Sequence, residues 1–208
     1  LILALLGTMI PVTQTVVLAN PNPPSQVGAV TTDASSSGRD GATFSHTTPS
    51  GDNRLLIVIV NFRGDDSVTS ATYAGNSMSL AVANGSGAST GQRVEIWYLV
   101  APPVGTYDID LSFGVRCLQS GIVAISYEGV DQNSPIGATA GANQHTPSNN
   151  PTVDITTTAT DALLVGGVCM RGGDTDPFTP GSGITERYDF ASGTAAAADD
   201  GYAGGEET

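Results

Sequence analysis

The sequence predicts an all-β protein: an antiparallel β-sandwich of roughly ten to twelve strands with an N-terminal apolar arm. Three observations carry this prediction. The 208 residues include 26 Gly and 12 Pro, which favour tight turns. Short apolar runs of strand length alternate with turn signals about every 8–12 residues. No amphipathic pattern of helix length occurs outside the arm, so turns rather than helices connect the strands, as in a sandwich.

The arm comprises Leu1 to Ala19, which carry no charge and run into the Pro-rich stretch Asn20–Pro24. Proline interrupts regular structure, so this stretch predicts a joint. The apolar run at Leu1–Ile10, followed by the small-residue spacing of Val17-Leu18-Ala19, is typical of a secretory signal peptide. The alternative is a retained arm whose strand-forming part is TQTVVL, Thr13–Leu18.

Residues 1–25 are therefore assigned to the arm and its joint, and residues 26–208 to one sandwich domain with an acidic C-terminal tail. A chain of this length has room for one core large enough to be stable alone. The signal-peptide-like arm predicts export, with a secreted or cell-surface location.

The strands of the first half follow from β-branched and alternating runs. Arg54–Phe62 is nearly continuous in apolar residues, which predicts a strand buried on both faces at the centre of a sheet. Gln92–Val100 carries bulky side chains on both faces, so it is covered on each side. Ala74-Gly75-Asn76 predicts a hairpin turn, because Gly and Asn tolerate positive φ. The other predicted strands here are Gln26–Ala34, at an edge, Ala42–Thr47, Val68–Tyr73 and Ser77–Ala83.

In the second half, Thr106–Phe113 has the clearest alternation of apolar and polar residues. Its period of two places Tyr107 in the core and Asp108 and Asp110 on the exposed face. The tail after Phe190 is rich in Gly, Ala and acids and predicts no further strand, which leaves a groove of the sandwich unpaired. The later predicted strands are Leu118–Tyr127, Thr152–Thr158, Ala162–Met170 and Ile184–Phe190.

The formal net charge is −13, and all seven basic residues are Arg. Nucleic acid and anionic membranes are therefore excluded as expected partners. Acidic loops supply oxygen ligands of the kind calcium takes, and Asp174 and Asp176 are the candidate metal ligands. None of these loops has EF-hand spacing, so a solvated acidic surface is the simpler interpretation and no cofactor is predicted.

Cys117 and Cys169 are predicted to form a disulfide. One opens a predicted strand and the other closes one, which brings them together if the two strands are antiparallel neighbours. In an exported protein an even pair of cysteines favours a bridge. The alternative is two separate buried thiols.

The sequence contains no H-E-x-x-H motif and no phosphate-binding glycine loop. Asp108 and Asp110 would suit a glycosidase only if they flanked a sugar bond, and an exposed strand face is the simpler interpretation. His46 fits a buried sheet histidine, and His145 lies in a polar loop without a nearby acid. The chain is therefore predicted not to be an enzyme.

Four longer segments resemble a β-sandwich module of bacterial secreted and surface proteins, over about Ala42 to Phe190. The most specific combination is EIWYLVAPP, then an alternating strand, then a GVDQ turn. The resemblance implies an immunoglobulin-like or jelly-roll fold, a structural or adhesive role and no catalytic residues. The segments are RLLIVIV at 54–60, VTSATYAGNSMSL at 68–80, RVEIWYLVAPPVGTYDIDLSF at 93–113 and GIVAISYEGVDQNSPIG at 121–137.

An unpaired groove at one end and an apolar segment at the other predict donor-strand complementation. The arm would enter the groove of an adjacent copy and build an extracellular, pilus-like homopolymer active in structure or adhesion. The alternative is a secreted carbohydrate-binding module with surface glycans as partners, using the aromatics Tyr73, Trp97, Tyr98 and Tyr107. The predicted assembly residues are Thr13, Thr15, Val16, Val17 and Leu18.

Overall fold

The computed structural model describes residues 10–18, 24–64, 67–85, 91–143, 153–157, 162–171, 184–192 and 200–207. These residues form fourteen strands and no helix, which confirms the predicted all-β class. The strands are β1 (Ile10–Leu18), β2 (Ser25–Ser35), β3 (Arg39–Thr48), β4 (Leu55–Arg63), β5 (Val68–Tyr73), β6 (Asn76–Ser77), β7 (Ser79–Gly85), β8 (Gln92–Val100), β9 (Gly105–Cys117), β10 (Gln119–Glu128), β11 (Ile136–Asn143), β12 (Leu163–Arg171), β13 (Thr185–Ser192) and β14 (Asp200–Glu207).

The strands form three antiparallel sheets. The middle sheet has the order β2-β10-β4-β8-β7. The first outer sheet has the order β11-β1-β12-β14-β13, and the second outer sheet has the order β3-β9-β5-β6. One cluster of buried side chains joins the middle sheet to the first outer sheet, and a separate cluster joins it to the second. The molecule is thus a sandwich with a central layer.

The central layer explains the nearly continuous apolar run of β4. Side chains alternate between the two faces of a strand, and here both faces meet a core. Leu55, Ile57 and Ile59 pack toward the first outer sheet, while Leu56 and Val58 pack toward the second. Each of these side chains is 0% exposed. The predicted central position of this strand is confirmed.

The predicted hairpin at Ala74-Gly75-Asn76 is shorter than expected. Positive φ falls on Ala74 (51°) and Gly75 (75°) rather than on Asn76. β6 pairs with β5 only through Thr72↔Ser77 and Tyr73↔Asn76. After Met78 the chain enters the middle sheet, where β7 pairs with β8. The turn therefore also carries the chain from one layer to the next.

Several strand predictions were wrong. Of Thr152–Thr158, residues 153–157 are described and contain a single bridge residue, Asp154, rather than a strand. β11 was not predicted, because its Gly- and Ala-rich sequence has low strand propensity. The tail was predicted to hold no strand, yet β14 pairs with both β12 and β13. Neighbours on both sides override its weak propensity.

Tyr107 was predicted to lie in the core but is 43% exposed. It shares a face with the buried Ile109 and Leu111, so the alternation itself is correct. Its ring packs edge-on against Tyr73, with centroids 5.9 Å apart, at the end of the strand. Alternation determines the side of the sheet to which a residue points, but not whether the facing layer extends that far.

The predicted disulfide between Cys117 and Cys169 is wrong, because the two cysteines are not bonded to each other. Cys117 ends β9 and belongs to the cluster between the middle and second outer sheets. Cys169 lies in β12 and belongs to the cluster on the other side of the middle sheet. Stacked sheets lie about 10 Å apart, whereas a bridge requires Cα atoms within about 7 Å.

We expect the denatured chain to take up two alkyl groups from iodoacetamide in the absence of reductant, because the middle sheet separates the two thiols. Intact-mass spectrometry measures the uptake. The control, Cys117→Ala, should take up one group. Alkylation that requires prior reduction would contradict the structure.

Candidate functional site

β1 occupies the slot between β11 and β12 of the first outer sheet. It pairs antiparallel with β12 from Ile10↔Arg171 to Leu18↔Leu163. On its other side it pairs with β11 from Val12↔Asn143 onward. The segment predicted to form a strand, Thr13–Leu18, is therefore a strand, and it fills a slot of its own chain. All five predicted assembly residues come together there.

Both faces of β1 are covered. Val16 and Leu18 point toward the middle sheet and belong to its apolar cluster. Residues of the other face are buried as well, although β1 lies in an outer sheet. Exposure does not exceed 5% for any of Thr13, Gln14, Thr15, Val16, Val17 and Leu18. A strand so covered is an internal part of the fold.

Gln14 is the polar residue of β1 on the face toward the middle sheet, and it is 0% exposed. In the amide orientation that satisfies its hydrogen bonds, the nitrogen donates to the Ala140 carbonyl of β11 at 3.2 Å. The oxygen accepts from the backbone N–H of Asn84 in β7 at 2.9 Å. Gln14 was missed by the sequence analysis, although an amide within an uncharged apolar arm was a visible signal.

Glycines form the walls of the slot beside Gln14 and Thr15. A Cβ on Gly141 would lie 2.6 Å from the Gln14 amide. A Cβ on Gly166 would lie 3.0 Å from the Gln14 carbonyl and 3.1 Å from Thr15 Oγ1. Real Cβ atoms do not approach so closely without displacing a neighbour. The walls of the slot therefore match the side chains and backbone of β1 at these two positions.

A histidine and a serine form the nearest approach to a catalytic arrangement among the described residues. His46 Nε2 lies 2.9 Å from Ser126 Oγ, and His46 Nδ1 lies 2.9 Å from Thr31 Oγ1. Thr31 thus occupies the place where a hydrolase would carry a carboxylate. His46 and Ser126 are each 1% exposed. Substrate does not reach this hydroxyl in the folded chain, so the group acts as a polar tie between two sheets.

Glu95 is a buried carboxylate, 1% exposed, and its oxygens accept three hydrogen bonds. It accepts hydrogen bonds from Arg93 Nε at 2.6 Å and from Trp97 Nε1 at 2.9 Å. It also accepts from the backbone N–H of Val68 at 3.3 Å, where β5 begins. The carboxylate therefore fixes β8 of the middle sheet to β5 of the second outer sheet.

Asp108 and Asp110 lie on the exposed outer face of β9, as predicted. Ser45 Oγ donates to Asp108, and Thr43 Oγ1 donates to Asp110, each at 2.7 Å. Both carboxylates thus belong to a row of hydroxyl and acidic side chains along β3 and β9. They lie side by side on one strand face, so they do not flank a bound sugar as a glycosidase pair does.

The four aromatics that could have formed a sugar-binding platform do not share a surface. Tyr73 is fully buried. Trp97 and Tyr98 are partly buried and pack against different apolar clusters. Tyr107 is the exposed member of the four.

The candidate calcium ligands Asp174 and Asp176 lie outside the described residues, as does His145. Within the described ranges no three residues among His, Cys, Asp and Glu are grouped as metal ligands would be. The described part of the chain also contains no helix of the length and hydropathy needed to cross a membrane.

No protein-family model, no curated protein and no solved structure matches this chain. The resemblance to a bacterial surface module is therefore supported only as an antiparallel all-β sandwich.

We expect burial of His46 to make stability depend on pH. Desolvation lowers the pKa of His46 from 6.5 to about 4 in the folded chain. Between these pH values the unfolded chain binds a proton that the folded chain does not. The stability contributed by neutral His46 is therefore complete above pH 6.5 and is lost as pH falls toward 4, by about 3 kcal/mol in total.

Urea unfolding at pH 7, 5.5 and 4.5 measures this dependence. His46→Gln should flatten the curve over this range, because the titrating group is gone. Val104→Thr, at an exposed and uncharged position, is the control and should retain the slope of the parent chain. Equal slopes in the parent chain and in His46→Gln would show that His46 does not titrate as proposed.

Proposed function

We propose that this protein is a non-catalytic extracellular structural or adhesive subunit that polymerises by exchanging β1 between copies. The observation that supports this proposal is the position of β1. It is the first strand of the described part of the chain, and it lies inside a sheet with β11 on one side and β12 on the other. If β1 leaves its own sheet, the slot between β11 and β12 is lined with unpaired backbone groups. The β1 strand of a neighbouring copy fits this slot.

Exchange preserves the contacts of β1. The same pairings with β11 and β12 form whether the strand comes from the same chain or from the next one. The balance between the two states therefore depends on the segment that joins β1 to β2. Asn20–Pro24 contains three Pro in the sequence NPNPP. Short, stiff joints of this kind favour exchange over folding back.

The donor and acceptor parts of the subunit are different surfaces. A contact between β1 of one copy and the slot of the next is therefore head-to-tail. Such contacts do not close on themselves unless the rotation between copies forms a ring, and otherwise they build filaments. A net charge of −13 keeps the lateral surfaces of such filaments apart.

Two further observations are compatible with a structural role. The His46–Ser126 pair is buried between layers, where it stabilises the fold rather than meets a substrate. The four aromatics considered for sugar binding are divided between two clusters and one strand end. No specific observation favours the carbohydrate-binding alternative.

We expect mixed cysteine variants to form a covalent dimer. Thr13 pairs with Val168 in the register of β1 and β12. One chain carries Thr13→Cys and the other carries Val168→Cys, both in a background of Cys117→Ala and Cys169→Ala. Neither chain can form this bridge alone. After co-refolding and oxidation, a dimer on a non-reducing gel would report a β1 strand exchanged between chains.

The control replaces Thr13→Cys with Thr15→Cys, which lies two residues out of register with Val168 and should not bridge. Electron micrographs of the parent chain should show filaments. Absence of the mixed dimer, together with a monomeric mass by light scattering, would show that β1 stays in its own chain and that the filament proposal is wrong.

A further inference from the structure

The apolar pattern of β1 does not by itself determine how β1 sits along its slot. Side chains of a strand repeat every two residues. A slip of β1 by two residues would therefore keep every side chain on its present face, with Val16 and Leu18 still directed at the middle sheet. Most backbone pairs with β11 and β12 can re-form in such a slip, although Pro11 has no N–H to donate and the pairing with β11 is irregular between Val17 and Leu18. Something other than alternation must select the observed register.

The hydrogen-bond partners of the Gln14 side chain are available at only one position along the slot. Its amide nitrogen donates a hydrogen bond to the Ala140 carbonyl of β11, and its amide oxygen accepts one from the Asn84 N–H of β7. A two-residue slip moves the amide by about 6.6 Å, which is out of reach of both partners. The residue is 0% exposed, so a displaced amide loses both of these hydrogen bonds while it stays buried, which disfavours the slipped state.

The shape of the slot selects the same register. Gly141 lies opposite Gln14 in the pairing with β11, and a Cβ there would lie 2.6 Å from the amide. The neighbouring positions of the same face of β11 are Thr139 and Asn143, which carry side chains. A slip of two residues in either direction would place Gln14 opposite one of these side chains instead of the glycine.

We infer that Gln14 sets the register of β1, and that the slot accepts an extended peptide strand with Gln, Val and Leu at alternate positions. The ligand of the slot is thus a strand of the type Gln-x-Val-x-Leu, supplied by this chain or a second copy. The supply of the strand by a second copy rests on the proposed function. The register itself does not, because Gln14 meets the same groups in either case.

A matched pair of cysteine reporters tests the inference in the full chain, with Cys117→Ala and Cys169→Ala as background. The in-register reporter carries Thr13→Cys and Val168→Cys, which are directly paired. The slipped reporter carries Thr15→Cys and Val168→Cys, which are bridged only if β1 moves by two residues. Both reporters use the same face of β1 and replace residues of similar size.

With Gln14 present, the in-register reporter should oxidise and the slipped reporter should not. Gln14→Leu should lower the ratio of in-register to slipped bridging by roughly tenfold or more, as expected from the loss of two buried hydrogen bonds. As a control in the slipped reporter, Thr13→Val removes a buried hydroxyl from the other face of β1 and should leave slipped bridging at background. Unchanged bridging in Gln14→Leu would overturn the inference.

A second measurement covers the case in which Gln14→Leu does not fold. Gly141→Ala should destabilise the parent chain because its Cβ meets the Gln14 amide. In a Gln14→Ala background its effect on the unfolding equilibrium constant should shrink by about fivefold, since contacting residues couple. Additive effects would contradict a register contact between the two residues.

The non-reducing gel also distinguishes a failure of the register inference from a failure of the proposed function. Bridged monomers in the in-register reporter would support the register and show that β1 stays in its own chain. Bridged multimers would support both ideas. Slipped bridging in the parent chain would contradict the register, whichever chain supplies the strand.

Discussion

The rest of the structure depends on a middle sheet that is buried on both faces. β4 pairs with β10 on one side and with β8 on the other. Alternate side chains of these strands fill two separate cores. Burial of each large aliphatic side chain stabilises the fold by about 1.5–3 kcal/mol. Because β4 has such side chains on both faces, it contributes to both interfaces. Each outer sheet packs against a face that the middle sheet provides.

Apolar packing holds the layers together but leaves their lateral positions poorly specified, because it is not directional. Buried polar groups supply the missing directionality. Each requires partners at a fixed geometry, and each connects the middle sheet to one outer sheet. These ties are His46 to Ser126, Glu95 to Val68, Asn61 to Tyr188 at 3.2 Å, and Gln14 to Asn84.

The first outer sheet depends on segments that are distant in sequence. β12 lies at its centre, with β1 on one side and β14 on the other. Gly167 of β12 has no side chain, and a Cβ there would lie 2.6 Å from Ile59 Cγ2 of the middle sheet. This sheet can therefore approach the middle sheet closely, but β12 is paired on both sides only when β1 and β14 are in place. That dependence makes β1 consequential for stability and for the proposed assembly.

The sequence alone determined the features that follow from local periodicity. It identified β4 as central, β8 as covered on both faces, and Asp108 and Asp110 as exposed, because alternation and continuous apolar runs are read within a few residues. For Thr13–Leu18 it left a strand and a signal peptide as alternatives. The tertiary structure decided which strands become neighbours. It placed Cys117 and Cys169 on opposite sides of the middle sheet and made a strand of the Gly-rich segment Asp200–Glu207. It also gave Gln14 its partners, since Asn84 and Ala140 are far from it in sequence and are brought to it only by the packing of three sheets.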